Sequence, residues 1–143
     1  MGIGNELKGD DSVGPYIAKK IDHQRWLAIN CVTVPGNFTS VVKKHKPKIL
    51  VMVDAAKMGL KPGQFRRLPK KSIDRMFAST HTVPISATIN YLENYADKII
   101  FIGIEAKNLE HSTELSPEVK EGADELIRTL LDGDISAIKK TDS

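Results

Sequence analysis

The sequence predicts an α/β protein, a three-layer α/β/α sandwich with a mostly parallel sheet, and three features predict it. Ile49-Leu50-Val51-Met52-Val53 and Ile99-Ile100-Phe101-Ile102-Gly103-Ile104 are unbroken apolar runs of strand length, the pattern of strands covered on both faces. Segments with helical apolar spacing alternate with them, as layered α/β architectures require. A glycine-rich loop over residues 2–15 empties directly into the first of those helices.

In that loop Gly2, Gly4, Gly9 and Gly14 permit tight turning, which a residue with a Cβ does not do cheaply. Asp10 and Asp11 stand just before an apolar-periodic run, and Pro15 sits where a first helical turn accepts proline. Val13, Ile17, Ala18 and Ile21 then predict a helix over 12–22. Residues 26–32 read as a strand, broken by Pro35-Gly36-Asn37. A short helix follows over 38–45, closed by Pro47, and then the first buried run, which gives out at Asp54. Residues 55–63 read as a loop, 64–68 as an edge strand and 72–77 as a short helix. Ser79-Thr80-His81-Thr82-Val83-Pro84 is a polar loop running into a helix over 85–95. The second buried run comes next. Ser116-Pro117-Glu118 announces the last helix, with Ser116 as N-cap and Pro117 as its first residue. After Asp132 the tail is polar and is expected to fray.

The aspartate pair has an ordinary reading: one side chain caps the helix and the other is solvated. A nucleotide-binding reading fails, because position 7 is Leu where the dinucleotide fingerprint needs glycine, and no lysine precedes Ser or Thr in Walker spacing. Two carboxylates would also repel phosphate. The chain of 143 residues is read as one domain, 1–143, large enough to bury roughly 70% of its unfolded surface. Twenty-one Lys and Arg against eighteen Asp and Glu leave a net charge of +3, too balanced to argue for nucleic acid. Lys43-Lys44-His45-Lys46 and Arg66-Arg67 with Lys70-Lys71 are read as solvated faces. Cys31 is the only cysteine; it excludes an intrachain disulfide and reads as a buried thiol. No apolar segment has the length of a membrane span and no secretory signal is read, so the expectation is a cytoplasmic protein.

Asp11, Asp54 and His81 fall at the mouths of sheet segments, where ligands of open parallel sheets bind. Two carboxylates and an imidazole can hold a divalent first-row metal, although their separation along the chain does not force them together. A backbone-bonded loop histidine and a capping aspartate remain the alternatives at His81 and Asp54.

Four blocks carry a resemblance. Gly2-Ile3-Gly4-Asn5-Glu6-Leu7-Lys8-Gly9-Asp10-Asp11, Val53-Asp54-Ala55 with Met58-Gly59-Leu60-Lys61-Pro62-Gly63, Ser79-Thr80-His81-Thr82-Val83-Pro84, and Phe101-Ile102-Gly103-Ile104 occur in one order over nearly the whole chain. Together they resemble the nickel–iron hydrogenase maturation endopeptidases, most closely the hydrogenase-3-type and archaeal branch. The resemblance implies a twisted α/β/α sheet fold and an endopeptidase of aspartic-type assignment. Such an enzyme removes the C-terminal extension of a hydrogenase large-subunit precursor after nickel insertion. It implies Asp11, Asp54 and His81 as the catalytic and metal-contacting residues, with nickel carried by the substrate. The precursor is the expected partner, with no nucleic acid and no membrane, and the protein is expected to be a monomer. Whether nickel polarises the scissile carbonyl or acidifies a water, or a carboxylate acts as general base, stays open. The rival readings are a non-catalytic chaperone binding nickel or precursor, and a truncated inactive relative.

Four positions depart from the family pattern. An apolar interior strand normally precedes the glycine loop, whereas only Met1 stands before Gly2. The fold is therefore expected to lack most of its first strand here, and a misplaced start or a clipped chain is the expected cause, since losing an interior strand removes ladder bonds and buried area. Ser12 stands where glycine is usual, Asn30-Cys31-Val32 replaces an Asp-Gly-Gly-like turn, and Glu105-Ala106 replaces Gln-Pro.

Overall fold

The structure, a computed structural model, describes residues 1–78 and 84–141. Five strands form one sheet in the order β2-β1-β3-β5-β4. They are β1 (Gly2–Ile3), β2 (Asn30–Val32), β3 (Ile49–Ala56), β4 (Phe65–Leu68) and β5 (Lys98–Glu105). All pairings are parallel except β4 with β5, the antiparallel edge. The helices are α1 (Val13–Lys20), α2 (Thr39–His45), α3 (Ile73–Met76), α4 (Ile85–Leu92) and α5 (Pro117–Leu131).

Alternation along the two long strands sorts the core into two layers, because successive side chains of a strand point to opposite faces. Val51, Val53 and Ala55 of β3, with Ile100, Ile102 and Ile104 of β5, pack with Val13 and Ile17 of α1 and with Val119, Ala123 and Leu126 of α5. Leu50, Met52 and Ala56, with Phe101, pack with Val42, Ile73, Ile85, Ile89 and Leu92 from α2, α3 and α4. Asp54 therefore belongs to the second face, in register with Gly103 on β5. On the first face Tyr16 donates its hydroxyl to Asp124 at 2.7 Å, tying α1 to α5.

β1 is only two residues long and lies between β2 and β3, an interior position. Its contact with the start of α1 is backbone to backbone. A Cβ on Gly14 would sit 2.3 Å from the Ile3 carbonyl oxygen and 2.8 Å from that of Val53, and one on Gly4 would sit 1.7 Å from the Asp11 carbonyl oxygen. No side chain fits at either place, so glycine here sets how closely the helix lies on the sheet.

Several expectations are corrected. β3 does not end at Asp54 but continues through Ala56, because β5 pairs with it along its whole length and Phe77 bridges Ala56 from the other side. The strand expected over 26–32 shrinks to three residues, since β1 offers only Gly2 and Ile3 as partners, and Leu27 is exposed. The helix expected to reach 95 ends at Leu92. The tail does not fray at once: Ile138 is buried, and Arg67 of β4 pairs with Lys140, donating to Lys139 O at 2.8 Å and accepting from Thr141 N at 3.0 Å. The tail thus covers the open side of an edge strand.

At the end of β2, Val32 adopts φ +44°, a left-handed conformation that is a genuine outlier for a β-branched residue. Two hydrogen bonds hold it there. Its N–H donates to Asn30 Oδ1 at 3.1 Å, and its carbonyl accepts from Gly4 N at 2.7 Å. Such strain costs about 1–3 kcal/mol, against about 0.5–1 kcal/mol for the flexibility of glycine. Val32→Gly is expected to stabilise the fold by about 1 kcal/mol and raise Tm by about 3 °C. A thermal melt in which the variant unfolds at or below the parent temperature would contradict this.

Candidate functional site

The C-terminal ends of β1 and β3 are adjacent in the sheet, and buried carboxylates gather there. Asp10 is 0% exposed, Asp11 3% and Asp54 0%. Carboxylates are seldom buried so completely unless they are hydrogen-bonded, paired or coordinated to a cation. Asp10 and Asp11 belong to a 3-10 turn, Gly9–Ser12, that links β1 to α1 and packs on β3. Asp54 points from β3 itself.

Neither aspartate of the pair is solvated, and neither caps α1, which has no side-chain cap. Asp11 Oδ2 accepts the Asn5 N–H at 2.9 Å, so the glycine loop folds back on its own carboxylate. Glu6 in the same loop accepts from Lys19 on α1 at 2.5 Å and from Asn30 on β2 at 3.3 Å. The Lys19 contact comes first among the causes that hold the Glu6 carboxyl below its usual range. The pair is exposed, so its contribution to stability is small.

Asp10 reaches across the molecule instead. Its Oδ2 accepts Lys107 N at 2.9 Å, Asn108 N at 2.8 Å and Ser116 Oγ at 2.8 Å, and its Oδ1 accepts Ser116 N at 2.7 Å. It thereby anchors Ser116, the residue just before the distant α5, where negative charge complements the helix dipole. Ser116, expected to cap α5 with its own side chain, spends its hydroxyl on Asp10. Glu105 makes a second strap: its Oε1 accepts Met58 N at 2.7 Å and Leu60 N at 3.2 Å, holding the loop that follows β3. Sequence reasoning gave Glu105 no role beyond a departure from a pattern. An acid directly after a fully buried strand, the signal that singled out Asp54, was there to find it.

The structure brings Asp11 and Asp54 to one edge of the sheet. His81 lies outside the described residues. The chain that leads to it does not: Ala78 N–H donates to the Ala55 carbonyl at 2.8 Å, next to Asp54, and Pro84 opens α4. Among the described residues no group of three His, Cys, Asp or Glu forms a metal site. None of the described helices is long and apolar enough to cross a membrane.

The family model for hydrogenase maturation proteases matches residues 13–133. The chain belongs to this family. A relative in Methanocaldococcus jannaschii, provisionally named a hydrogenase maturation protease, is 37% identical over 144 residues, covering 92% of this chain and 85% of its own. The hydrogenase 3 maturation protease of Escherichia coli K12 is 34% identical over 107 residues, covering 72% of this chain and 69% of its own. Among solved structures, the endopeptidase HycI from Escherichia coli matches with a TM-score of 0.86 at 26% identity, over 96% of this chain and 92% of that one. The [NiFe] hydrogenase maturation protease HycI from Thermococcus kodakarensis gives a TM-score of 0.77 at 26% identity, over 92% and 87%. The fold expected from the sequence and the family expected from its motifs therefore both hold, and the chain is a peptidase of the hydrogenase maturation family.

Within this maturation protease Cys31 is fully buried. Burial, the dominant cause, pushes its thiol up to about 11 from a usual 9.0, so it is no thiolate nucleophile near neutral pH. The folded state holds the thiol proton more tightly than the unfolded chain. That contribution to stability is complete below about pH 9 and is lost as pH rises toward 11. Native protein at pH 8 is expected to resist a thiol-reactive chromophore until urea is added, and Cys31→Ala is expected to lose less stability between pH 9 and 11 than the parent. Fast labelling of the native protein would contradict the first, and equal losses of stability in urea melts of the two proteins at pH 9 and 11 would contradict the second.

Proposed function

We propose that this maturation protease removes the C-terminal extension of a nickel–iron hydrogenase large-subunit precursor after nickel insertion, recognising the nickel that the substrate carries. The observation that supports it most is the burial of Asp11, in the turn that follows β1, and of Asp54, on the adjacent strand β3, in a chain of this family. The attachment of Ala78 beside Asp54, three residues ahead of His81, is consistent with an imidazole joining them.

On this reading the precursor's cysteine thiolates hold the ion and Asp11, Asp54 and His81 complete its surroundings. Two hard carboxylates with one imidazole suit a divalent first-row metal. A precursor without nickel lacks the shared ion and binds weakly. When present, the ion polarises a carbonyl or lowers the pKa of a water. The chain's own contribution is a fixed pair of carboxylates in a low-dielectric edge of the sheet. Either of them can also accept a proton from attacking water, as acids do in other proteases. The enzyme works as a monomer in the cytoplasm, and its partner is the precursor.

Nickel-loaded and nickel-free precursor are to be incubated with the enzyme and weighed by mass spectrometry. The expected result is loss of the extension from the loaded precursor only. Asp11→Asn, Asp54→Asn and His81→Ala, each folded by circular dichroism, are expected to lower kcat/KM by about a hundredfold or more, equivalent to about 3 kcal/mol. An unchanged precursor mass with intact binding would instead mark a non-catalytic chaperone. Full cleavage by the three variants would remove these residues from the site.

A further inference from the structure

Resting on the reading that Asp11 meets the precursor's nickel, we propose that Asp10 is a positioning residue for Asp11. By fastening residues 107–116 onto the Gly9–Ser12 turn, it fixes the backbone that carries the Asp11 carboxylate. The turn is gripped from two sides. On the sheet side, Gly4 lies against the Asp11 carbonyl and Asn5 N–H donates to Asp11 Oδ2. On the other side stand the bonds that Asp10 makes to Lys107, Asn108 and Ser116.

The backbone adds to this second grip. Asp10 N–H donates to Asn108 O at 2.8 Å, and Gly9 N–H donates to Ser112 O at 2.9 Å. Ser112 N–H returns a bond to Leu7 O at 3.0 Å. Four donors on one buried carboxylate use both of its oxygens, and buried polar groups arranged this way resist displacement because a lost acceptor leaves its donors unsatisfied. Asp10 and Asp11 are consecutive residues of a four-residue turn, so a shift in one backbone unit carries the other with it. A displacement of about 1 Å at a reacting group is enough to lower a rate by about a hundredfold. Asp10 is thus a structural residue with a catalytic consequence, transmitted through its neighbour.

Asp10→Asn keeps the shape but supplies one acceptor oxygen in place of two. Amide hydrogen exchange, followed residue by residue by NMR at a temperature where the variant is folded, reads the effect without substrate. Faster exchange at Lys107 and Asn108 would follow from a loosened strap alone. The discriminating amide is Asn5, which touches Asp11 and not Asp10. Its exchange is expected to accelerate about tenfold in Asp10→Asn. With nickel-loaded precursor, kcat is expected to fall about tenfold while KM stays within about twofold.

Wild-type protection at Asn5 together with wild-type kcat, despite faster exchange at Lys107 and Asn108, would overturn the proposal. Should Asp10→Asn fail to fold, Ser116→Ala removes a single donor and is expected to accelerate Asn5 exchange about twofold, and unchanged protection there overturns it equally. If the parent enzyme leaves the loaded precursor uncut, the proposed function falls, and exchange at Asn5 alone still decides the role of Asp10.

Discussion

The architecture depends on how closely the first turn and helix lie against the two-residue strand β1. Gly4 and Gly14 let backbone meet backbone there, with no room for a side chain between Ile3, Val53 and the turn that carries Asp10 and Asp11. Contacts of this kind are set by hard-sphere repulsion and have little slack. They bring the acidic turn to the end of β1, one strand away from Asp54.

Four buried acids at this edge divide into two kinds. Asp10 and Glu105 accept backbone N–H groups from loops that frame it, the first gathering residues 107–116 and the second residues 58–60. Backbone donors of irregular loops need acceptors when buried, and a carboxylate satisfies several at once. Asp11, which accepts the Asn5 N–H of its own loop, and Asp54 on β3 are the pair proposed to meet the substrate. A rigid frame built from the same chemistry as the site suits an enzyme that must hold its groups still before the substrate arrives.

Much of this was legible in the sequence, for reasons that differ by element. The two long strands announced themselves because both faces are covered, so no polar residue interrupts the apolar runs. Asp54 was found by its position after one of them, but the strand's end was misjudged: Ala55 and Ala56 are small residues without strand propensity, extended here by their pairing with Ile104 and Glu105. The division of labour between Asp10 and Asp11 was not legible, since the donors to Asp10 lie about a hundred positions further along the chain, beyond the reach of local pattern. Ser116 misled for the same reason: it carries a helix-start signal, and its hydroxyl is drawn to a partner that only the fold supplies. The docking of the tail along β4 was hidden because Lys139 and Lys140 contribute backbone, not side-chain pattern.

On the proposed function, the buried acids of this edge reach an ion held by the protein being cut. Nickel X-ray absorption reads that contact, on loaded precursor alone and on its complex with the enzyme frozen before cleavage. The complex is expected to gain oxygen or nitrogen scatterers beside the precursor's sulfur ligands, and complexes with Asp11→Ala or Asp54→Ala to lose part of that gain. A nickel environment identical in free precursor and in the wild-type complex would contradict it.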